Sequence, residues 1–407
     1  MITTINNKHK KLNVPNLRFP KFEGEWKEER LADIADLYKG TGISKDQLSD
    51  DGEPCILYGE LYTKYKSETI KEVISKTNID NTKLVRSKAN DVIIPCSGET
   101  AEDIATARCV LNDNILLGGD LNIIRLHGYD GTFMSYQLNG KRKYDIAKVA
   151  QGVSVVHLYG EHLKGVKTIN PCLEEQKKIA SLLALLDERI ATQNKIIEDL
   201  KKLKSAISKL LFTRKDLLET TIRLADIATL KNGYAFQSSK YNTLGKWKIL
   251  TIANVFGERY INEEDCNCII NLPNDIQDHQ VLKEGDILIS LTGNVGRVSL
   301  CKAGNYLLNQ RVGLLHITKN VNQEFLYQVL SSRRFENSMV ACGQGAAQMN
   351  IGKGDVENFV LPYSSNANNI HLAAKILHSY DECIINELRE LTLRTMQKQY
   401  FLAQMFI

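Results

Sequence analysis

The most constraining feature of this 407-residue chain is an internal repeat that runs through nearly its whole length. The segment LADIADLYKG at residues 31–40 returns as LADIATLKNG at residues 224–233, and further matching segments follow in the same order. The offset between matching segments stays between 192 and 195 residues. Because each copy is long enough to bury a core of its own, the repeat predicts two similar domains with similar roles.

Each copy combines strand-like and helix-like patterns. Short β-branched runs such as residues 92–94 and 122–124 predict strands. A helix-like stretch follows in each copy, at residues 132–150 and at residues 324–339. Each half therefore predicts an α+β domain with segregated elements.

Both copies end in a long heptad pattern. Residues 173–212 contain no proline or glycine, and apolar residues recur there in steps of three and four. The predicted seam of the central helix consists of Ile179, Leu183, Leu186, Ile190, Ile197, Leu200 and Ile207. The seam of the C-terminal helix consists of Leu377, Tyr380, Ile384, Leu391 and Phe401. Polar residues interrupt the seams, among them Gln193, Lys204, Glu387, Arg394 and Lys398, and such residues usually fix register.

Two apolar stripes on one chain are most readily buried against each other, which predicts an antiparallel coiled coil with helices of roughly 60 Å each. That pairing would relate the two halves by a pseudo-twofold axis and hold two tandem globular domains apart. A plain core or a homo-oligomer interface is the alternative use of such a seam. The predicted segments are an N-terminal arm (1–17), a first globular domain (18–170), a central helix (171–218), a second globular domain (219–365) and a C-terminal helix (366–407).

The distribution of charge limits the ways in which the chain binds nucleic acid. The net charge is +4, yet residues 18–170 carry 21 basic against 23 acidic residues and residues 219–370 carry 14 of each. A binder that works by bulk charge would show a basic excess in its binding domain. DNA contact would therefore depend on local clusters of cations and on a partner that neutralises phosphates.

The sequence lacks the patterns that are typical of several other classes of protein. No run of about 18 apolar residues is present, so the sequence predicts neither a membrane span nor a signal peptide and favours the cytosol. The nine cysteines show no zinc spacing and are expected to be buried free thiols. The sequence contains no phosphate-loop, dinucleotide, nucleophile-elbow or HExxH motif, which predicts neither a catalytic site nor a bound metal. His157, which has Asn350 at the repeat position, is interpreted as an ordinary histidine rather than a ligand.

Loops rich in glycine and in polar residues do recur in matching places. Glycine permits close backbone approach, while Asn, Gln and Arg side chains can pair bidentately with base edges. The candidate DNA contacts in the first copy are Lys39, Thr41, Ser97, Thr100, Arg108, Lys141, Arg142, Lys143 and Gln151. Those in the second copy are Lys231, Asn232, Tyr234, Thr292, Asn294, Arg297, Asn309, Gln310, Arg311, Arg333, Arg334 and Gln344.

Three segments carry a family resemblance. They are LRFPKFEGEWKEERLADIADLYKG at 17–40, QGVSVVHLYGEHLKGVKTINPCLEEQKKIASLLALLDERI at 151–190, and the counterpart that begins at Gln344. With these segments the chain resembles the specificity subunits of type I restriction-modification enzymes. The most specific element is a short motif made of Pro171, Glu174, Glu175 and Gln176.

The resemblance implies that each globular domain is a target-recognition domain that reads one half of a split DNA site. It also implies that the helices set the spacing and dock two adenine methyltransferase subunits, to which restriction and translocase subunits are added. S-adenosylmethionine, ATP and Mg would then belong to the partner subunits, and this chain would hold no cofactor. Because the loops of the two copies differ, we expect an asymmetric bipartite site on double-stranded DNA.

The second copy departs from the family motif, since Asn366–Asn369 stand where Glu-Glu-Gln is expected, and this segment is predicted to start the last helix loosely. Two rival functions stay open. One is a non-catalytic coiled-coil adaptor that never touches DNA, and the other is a bilobal enzyme with a small ligand between its repeats. Co-purification with a methyltransferase, sequence-selective retention of DNA and substrate turnover would separate these possibilities.

Overall fold

The computed structural model describes residues 13–80, 82–152, 155–343 and 349–407. The chain forms two compact units. The first unit contains Met1–Asn194 and Glu390–Ile407, and the second contains Lys195–Arg389. Each unit therefore combines one globular portion with part of both long helices.

The first unit contains two larger sheets and several short helices. Its strands are β1 (Lys27–Arg30), β2 (Ala35–Lys39), β3 (Leu48–Ser49), β4 (Glu53–Ile56), β5 (Thr69–Ile70), β6 (Ser75–Thr77), β7 (Asp91–Pro95), β8 (Ser97–Gly98), β9 (Arg108–Val110), β10 (Leu116–Leu117), β11 (Leu121–Leu126), β12 (Val156–His157) and β13 (Lys167–Asn170). Its helices are α1 (Leu31–Ile34), α2 (Glu60–Thr63), α3 (Ala101–Ile104), α4 (Gly131–Asn139), α5 (Lys143–Val149), α6 (Gly160–Leu163) and the first part of α7 (Leu173–Thr213). The sheet orders are β2-β11-β7-β9-β5, β10-β4-β6-β3, β1-β13 and β12-β8.

The second unit repeats this plan. Its strands are β14 (Thr220–Arg223), β15 (Ala228–Asn232), β16 (Trp247–Leu250), β17 (Asn267–Ile269), β18 (Val281–Leu282), β19 (Ile287–Ser290), β20 (Val298–Leu300), β21 (Tyr306–Leu308), β22 (Val312–Ile317) and β23 (Val360–Tyr363). Its helices are the rest of α7, α8 (Gln323–Leu330), α9 (Arg333–Cys342), α10 (Lys353–Glu357) and the first part of α11 (Ala367–Met405). The sheet orders are β15-β22-β19-β20, β17-β16-β21-β18 and β14-β23.

The predicted α+β repeat is confirmed by the central sheets. The order β2-β11-β7-β9 in the first unit matches β15-β22-β19-β20 in the second. The helix-like stretches differ in detail from the prediction, since each forms two helices. In the first unit α4 ends where the N–H of Gly140 bonds to the Tyr136 carbonyl, and in the second α8 ends where the N–H of Ser331 bonds to the Tyr327 carbonyl. An end bond of this kind satisfies a terminal carbonyl and lets the chain turn.

The two long helices run antiparallel within each unit. In the first unit Asp187 of α7 contacts Lys398 of α11, while the earlier residue Leu183 shares a core cluster with the later residue Met405. In the second unit Lys204 contacts Asp381, while Leu211 shares a core cluster with Leu377 and Ala373. In each unit, residues later in α7 therefore contact residues earlier in α11. This is the antiparallel arrangement that the heptad pattern predicted.

The predicted seam residues point inward. Those that are buried are Ile179, Leu183, Leu186, Ile197, Leu377 and Ile384. Those that are partly buried are Ile190, Leu200, Ile207, Tyr380, Leu391 and Phe401. Apolar surface removed from water at these positions stabilises each unit.

Lys398, one of the polar residues that interrupt the apolar seam, forms partly buried ion pairs. Its Nζ lies 2.5 Å from Asp187 and 2.9 Å from Glu68, and Tyr136 of α4 donates its hydroxyl to Asp187 at 2.5 Å. Burial opposes the charge on Lys398, but the attraction of Glu68 and Asp187 raises the pKa of its ammonium overall. We call Lys398, Asp187, Glu68 and Tyr136 the first ion cluster. It ties both long helices to the globular part of the first unit.

Lys204 takes the equivalent place in the second unit. Its Nζ lies 2.5 Å from Asp381, which also accepts from Arg259 at 2.9 Å and from Gln328 of α8 at 2.6 Å. Glu324 completes the group through a 2.6 Å ion pair with Arg259. We call these five residues the second ion cluster. Because a buried charge without a partner is costly, each cluster favours one register of the helices.

The PxxEEQ motif also has a structural role. Glu175 is fully buried and pairs with Arg18 at 2.7 Å, which raises the pKa of that guanidinium through the hydrogen bond. Gln176 donates to the Pro171 carbonyl at 2.8 Å and accepts from the N–H of Asp130 at 2.9 Å. The motif therefore fastens the start of α7 to the N-terminal segment and to the start of α4.

The expected loose start of the last helix is wrong. Asn366 accepts from the N–H of Asn368 at 3.0 Å, and its own N–H donates to the Ser364 hydroxyl at 3.0 Å. Asparagine is a favoured N-cap because its side chain satisfies an exposed helix donor. A capped start thus replaces the Glu-Glu-Gln arrangement in the second copy.

Two further expectations concern composition. All nine cysteines are free thiols, but the expectation that they are buried is wrong for Cys172, Cys342 and Cys383, which are exposed. Among the helices of the described residues, none combines the length and the apolar character that a membrane crossing needs.

Replacing Lys398 with alanine tests the first ion cluster. The change removes the closest cation from Glu68 and Asp187, so the free energy of unfolding of the first unit should fall by about 3 kcal/mol. The measurement is denaturant unfolding monitored by hydrogen exchange in α4 and α7. Lys202→Ala, which removes an exposed ion pair with Glu198, is the matched control and should leave stability nearly unchanged.

A charge removal provides the second arm of that test. The double variant Lys398→Ala with Asp187→Asn should recover part of the loss, because one of the two carboxylates left without a close cation is removed. Equal effects of Lys398→Ala and Lys202→Ala would contradict the proposed role of the cluster.

Candidate nucleic-acid interface

In the first unit, sequence-predicted contacts meet at one edge of the central sheet. Strand β2 ends at Lys39, β7 is followed by Ser97, and β9 begins at Arg108. Strand β11 pairs antiparallel with both β2 and β7, so the end of each of those strands lies beside its beginning. We call this the first polar edge, and its members are Lys39, Thr41, Ser97, Thr100, Arg108 and Gln151.

The second unit has the equivalent edge. Strand β15 ends at Asn232, Thr292 follows the end of β19, and Arg297 precedes β20. Strand β22 pairs antiparallel with β15 and β19, which places the segment before it at the same edge. We call this the second polar edge, and its members are Lys231, Asn232, Tyr234, Thr292, Asn294, Arg297, Asn309, Gln310 and Arg311.

Two equivalent glycines hold the first loop of each edge close to a neighbouring strand. A Cβ built on Gly40 would lie 2.0 Å from the Gly118 carbonyl oxygen, and one built on Gly233 would lie 2.2 Å from the Asn309 carbonyl oxygen. The glycines therefore permit close approach to the protein's own backbone. The sequence suggested instead that these glycines let the backbone approach DNA.

Backbone bonds also order the second edge. The N–H of Tyr234 donates to the Leu308 carbonyl at 2.8 Å, and the N–H of Gln310 donates to the Tyr234 carbonyl at 3.0 Å. The N–H of Arg311 donates to the side-chain oxygen of Asn309 at 3.2 Å. The polar segments of this edge are thus fixed to one another rather than free loops.

Matching hydroxyl contacts occur at both edges. In the first unit Ser97 Oγ lies 3.2 Å from His157 Nδ1. In the second unit Thr292 Oγ1 donates to Asn350 Oδ1 at 2.9 Å. Neither His157 nor Asn350 was a candidate contact from the sequence, although their alignment in the repeat was a usable signal.

Two predicted members of the first edge are engaged by the fold. Thr100 caps α3 by accepting from the N–H of Asp103 at 3.1 Å. Arg108 donates to the carbonyls of Tyr65 at 3.2 Å and Ala107 at 2.9 Å, and burial lowers the pKa of its guanidinium. The fold itself therefore uses polar atoms of both side chains.

The basic clusters lie at the starts of α5 and α9, two helices that follow the central sheets in the chain. Arg142 donates to the Ile407 carbonyl at 2.7 Å and pairs with Asp145 at 3.2 Å. Arg334 lies over the ring of Phe359 and donates to the Val360 carbonyl at 3.4 Å. Lys141 and Arg333 are exposed and Lys143 is partly buried. Gln344 lies outside the described residues.

The cations at the edges are partly offset by carboxylates. Lys39 lies 3.8 Å from Asp120, and Arg297 lies 3.6 Å from Glu336 while donating to the Phe256 carbonyl at 3.3 Å. Such exposed pairs are weak and remain available to a phosphate. Within the described part of the chain, no group of His, Cys, Asp and Glu side chains is arranged to hold a metal ion.

Comparison with known proteins identifies the family of the chain. The family described as type I restriction modification DNA specificity domain matches residues 23–202 and again residues 219–392. Two curated relatives come from Methanocaldococcus jannaschii. The MjaVIII type I restriction enzyme specificity subunit is 26% identical over 373 residues, covering 85% of this chain and 83% of that protein. The putative MjaX specificity subunit is 24% identical over 399 residues, covering 87% and 86%.

Solved structures share the fold. The type I restriction-modification S subunit from M. genitalium aligns with a TM-score of 0.65 at 18% identity, covering 97% of this chain and 99% of that one. A chain from a structure of type I complex assembly and conformational transition aligns with a TM-score of 0.55 at 16% identity, covering 95% and 98%.

The two matched segments together span most of the chain and coincide with the two copies of the repeat. The predicted resemblance and the predicted role are therefore confirmed. The chain belongs to the family of type I restriction-modification DNA specificity domains, of which it carries two copies, and it is the non-catalytic DNA-specificity subunit of such a system.

Proposed function

We propose that the chain reads an asymmetric bipartite site on double-stranded DNA, with one half-site at each polar edge. The observation that carries this proposal is the equivalence of the two edges in backbone and their difference in side chains. Lys39 is replaced by Asn232 and Thr41 by Tyr234 at matching places. Because direct reading depends on the donors and acceptors presented, unlike side chains on one scaffold favour unlike half-sites.

The proposed domain boundaries follow the sequence prediction, with recognition domains at 18–170 and 219–365 and helical segments at 171–218 and 366–407. Two methyltransferase subunits and, in the full complex, restriction and translocase subunits are the proposed partners. S-adenosylmethionine, ATP and Mg are assigned to those partners. Because the proposed target is double-stranded DNA, the cytosol is the proposed site of action.

An exposed apolar stripe supports the docking of a methyltransferase subunit. Ile196, Leu203 and Leu210 recur every seven residues on α7 and are 41%, 46% and 56% exposed. A stripe at this spacing follows one face of a helix, and the seam residues beside it are directed into the helix pair. An apolar face left in water at this length is typical of a surface that a partner covers.

Asparagine substitutions at Leu203 and Leu210 test this docking surface. We expect loss of methyltransferase co-purification with the helix content of the chain unchanged, because both side chains are about half exposed. Circular dichroism and affinity co-purification are the measurements. Leu244→Asn, at an 88% exposed leucine outside the helices, is the control and should retain the partner. Retention of the enzyme by the double variant would place the interface elsewhere.

The uninterrupted helix α7 supports the proposal that helix length sets the spacing between half-sites. Inserting four residues between Ile190 and Ile207 adds about 6 Å of helix, on the order of one to two base pairs. We expect the unread spacer to change or recognition to be lost, while the two half-site sequences stay the same. Sequencing of methylated adenines in DNA exposed to the assembled complex measures both, and an unaltered spacer would argue against this role of the helix.

The near-neutral domains lead to a further expectation about affinity. The isolated chain should bind its site weakly, and adding the methyltransferase should tighten binding by about tenfold or more, because the partner supplies phosphate contacts. Gel-shift titration with and without that subunit gives the answer. Equal affinity in both titrations would contradict the proposed division of contacts.

A further inference from the structure

In each unit, a segment from later in the chain pairs with the polar edge, and the pairing is the same in both units. In the first unit β12 pairs with β8, which places His157 opposite Ser97, and the N–H of Leu158 donates to the Cys96 carbonyl at 2.9 Å. In the second unit Asn350 lies opposite Thr292, and the N–H of Ile351 donates to the Leu291 carbonyl at 2.9 Å. His157 and Asn350 therefore occupy one structural position in the two copies.

His157 is held on two sides. Its backbone exchanges hydrogen bonds with Gln151, at 2.8 Å to the His157 carbonyl and 2.7 Å from the His157 N–H. Its ring is parallel to that of the half-exposed Tyr159, with an interplanar angle of 19° and centroids 6.1 Å apart. With Nδ1 engaged by Ser97, the ring nitrogen that remains for a ligand is Nε2.

Asn350 is oriented by the same kind of contact. The Thr292 hydroxyl donates to its amide oxygen, which fixes the amide so that the NH₂ group points away from that hydroxyl. The residue is exposed, and among the described residues no acceptor lies at that NH₂ group. Both N–H donors are thus available to a molecule that approaches the second polar edge.

We propose that His157 and Asn350 are base-reading residues, each of which recognises a base with a major-groove acceptor, a purine or thymine, in its own half-site. If Ser97 donates to His157 as Thr292 does to Asn350, both positions present an N–H donor. The acceptors that suit such a donor in the major groove are N7 of either purine, O6 of guanine and O4 of thymine, whereas cytosine presents only a donor there. The inference rests on the role of this chain in DNA specificity and adds the residues and the base class.

The contrast with neighbouring residues supports this assignment. Thr100 and Arg108 belong to the same edge, yet their polar groups are used by the protein itself. At His157 and Asn350 the internal contact uses one polar atom and leaves the other available. A side chain that is oriented by the fold and still has an unused donor is suited to discriminate between bases.

The test uses the full assembled complex and two single substitutions, His157→Ala and Asn350→Ala, which remove the proposed N–H donors. Methylated sites are sequenced in a plasmid library that contains every variant of the wild-type bipartite site. Each substitution should reduce discrimination at one position of one half-site by about tenfold to a hundredfold and leave the other half-site unchanged. Ser97→Ala and Thr292→Val, which release the orientation of those donors, should relax the same two positions less.

Matched controls come from the opposite edges of the same sheets. His127→Ala replaces a half-exposed histidine that follows β11 and pairs with Asp36, and Asn320→Ala replaces an exposed asparagine that follows β22. Both should preserve the wild-type site. An unchanged site in His157→Ala and Asn350→Ala, or a loss spread over both half-sites, would overturn the inference. A wild-type complex that methylates without sequence preference would instead refute the role in DNA specificity itself.

Discussion

The rest of the structure depends on two equivalent ion pairs between the long helices. Lys398 meets Asp187 in the first unit, and Lys204 meets Asp381 in the second, with each lysine on one helix and each aspartate on the other. Both aspartates also accept a hydrogen bond from the globular part, from Tyr136 in one unit and Gln328 in the other. Because apolar seams tolerate sliding whereas a buried charge needs its partner, these pairs fix register and attach each recognition domain to the helices.

The PxxEEQ motif extends the same logic in the first unit. Glu175 and Gln176 use their side chains on Arg18, Pro171 and Asp130, so the most specific sequence element of the family serves assembly of the fold. The second unit reaches the same helix geometry with an asparagine cap at Asn366. We propose that bases are read at the polar edges, whose backbone is shared and whose side chains differ. On this proposal scaffold and specificity reside in separate residues, so the edges can vary while the helices keep their packing.

Much of this could be predicted from the sequence, because the repeat and the heptad period are properties of the chain itself. The strands, the two domains and the antiparallel helices followed from those patterns. Lys204 and Lys398 were visible as interruptions, but their partners lie far away in the chain or on the other helix. The basic residues around Arg142 suggested a DNA contact, yet charge alone does not show that its guanidinium holds the Ile407 carbonyl. The contact between His157 and Ser97 could not be predicted either, because the two residues are 60 positions apart in the chain.

The central claim is that DNA is read at the polar edges of the two central sheets while the helix pair and the basic clusters serve other purposes. Hydrogen exchange of the assembled complex with and without its cognate DNA tests this claim most directly. The account predicts slower exchange at residues 39–41, 97–98 and 155–158 in the first unit and at 232–234, 292–294 and 349–351 in the second. Protection confined to residues 141–143 and 333–334, with the polar edges unchanged, would contradict it.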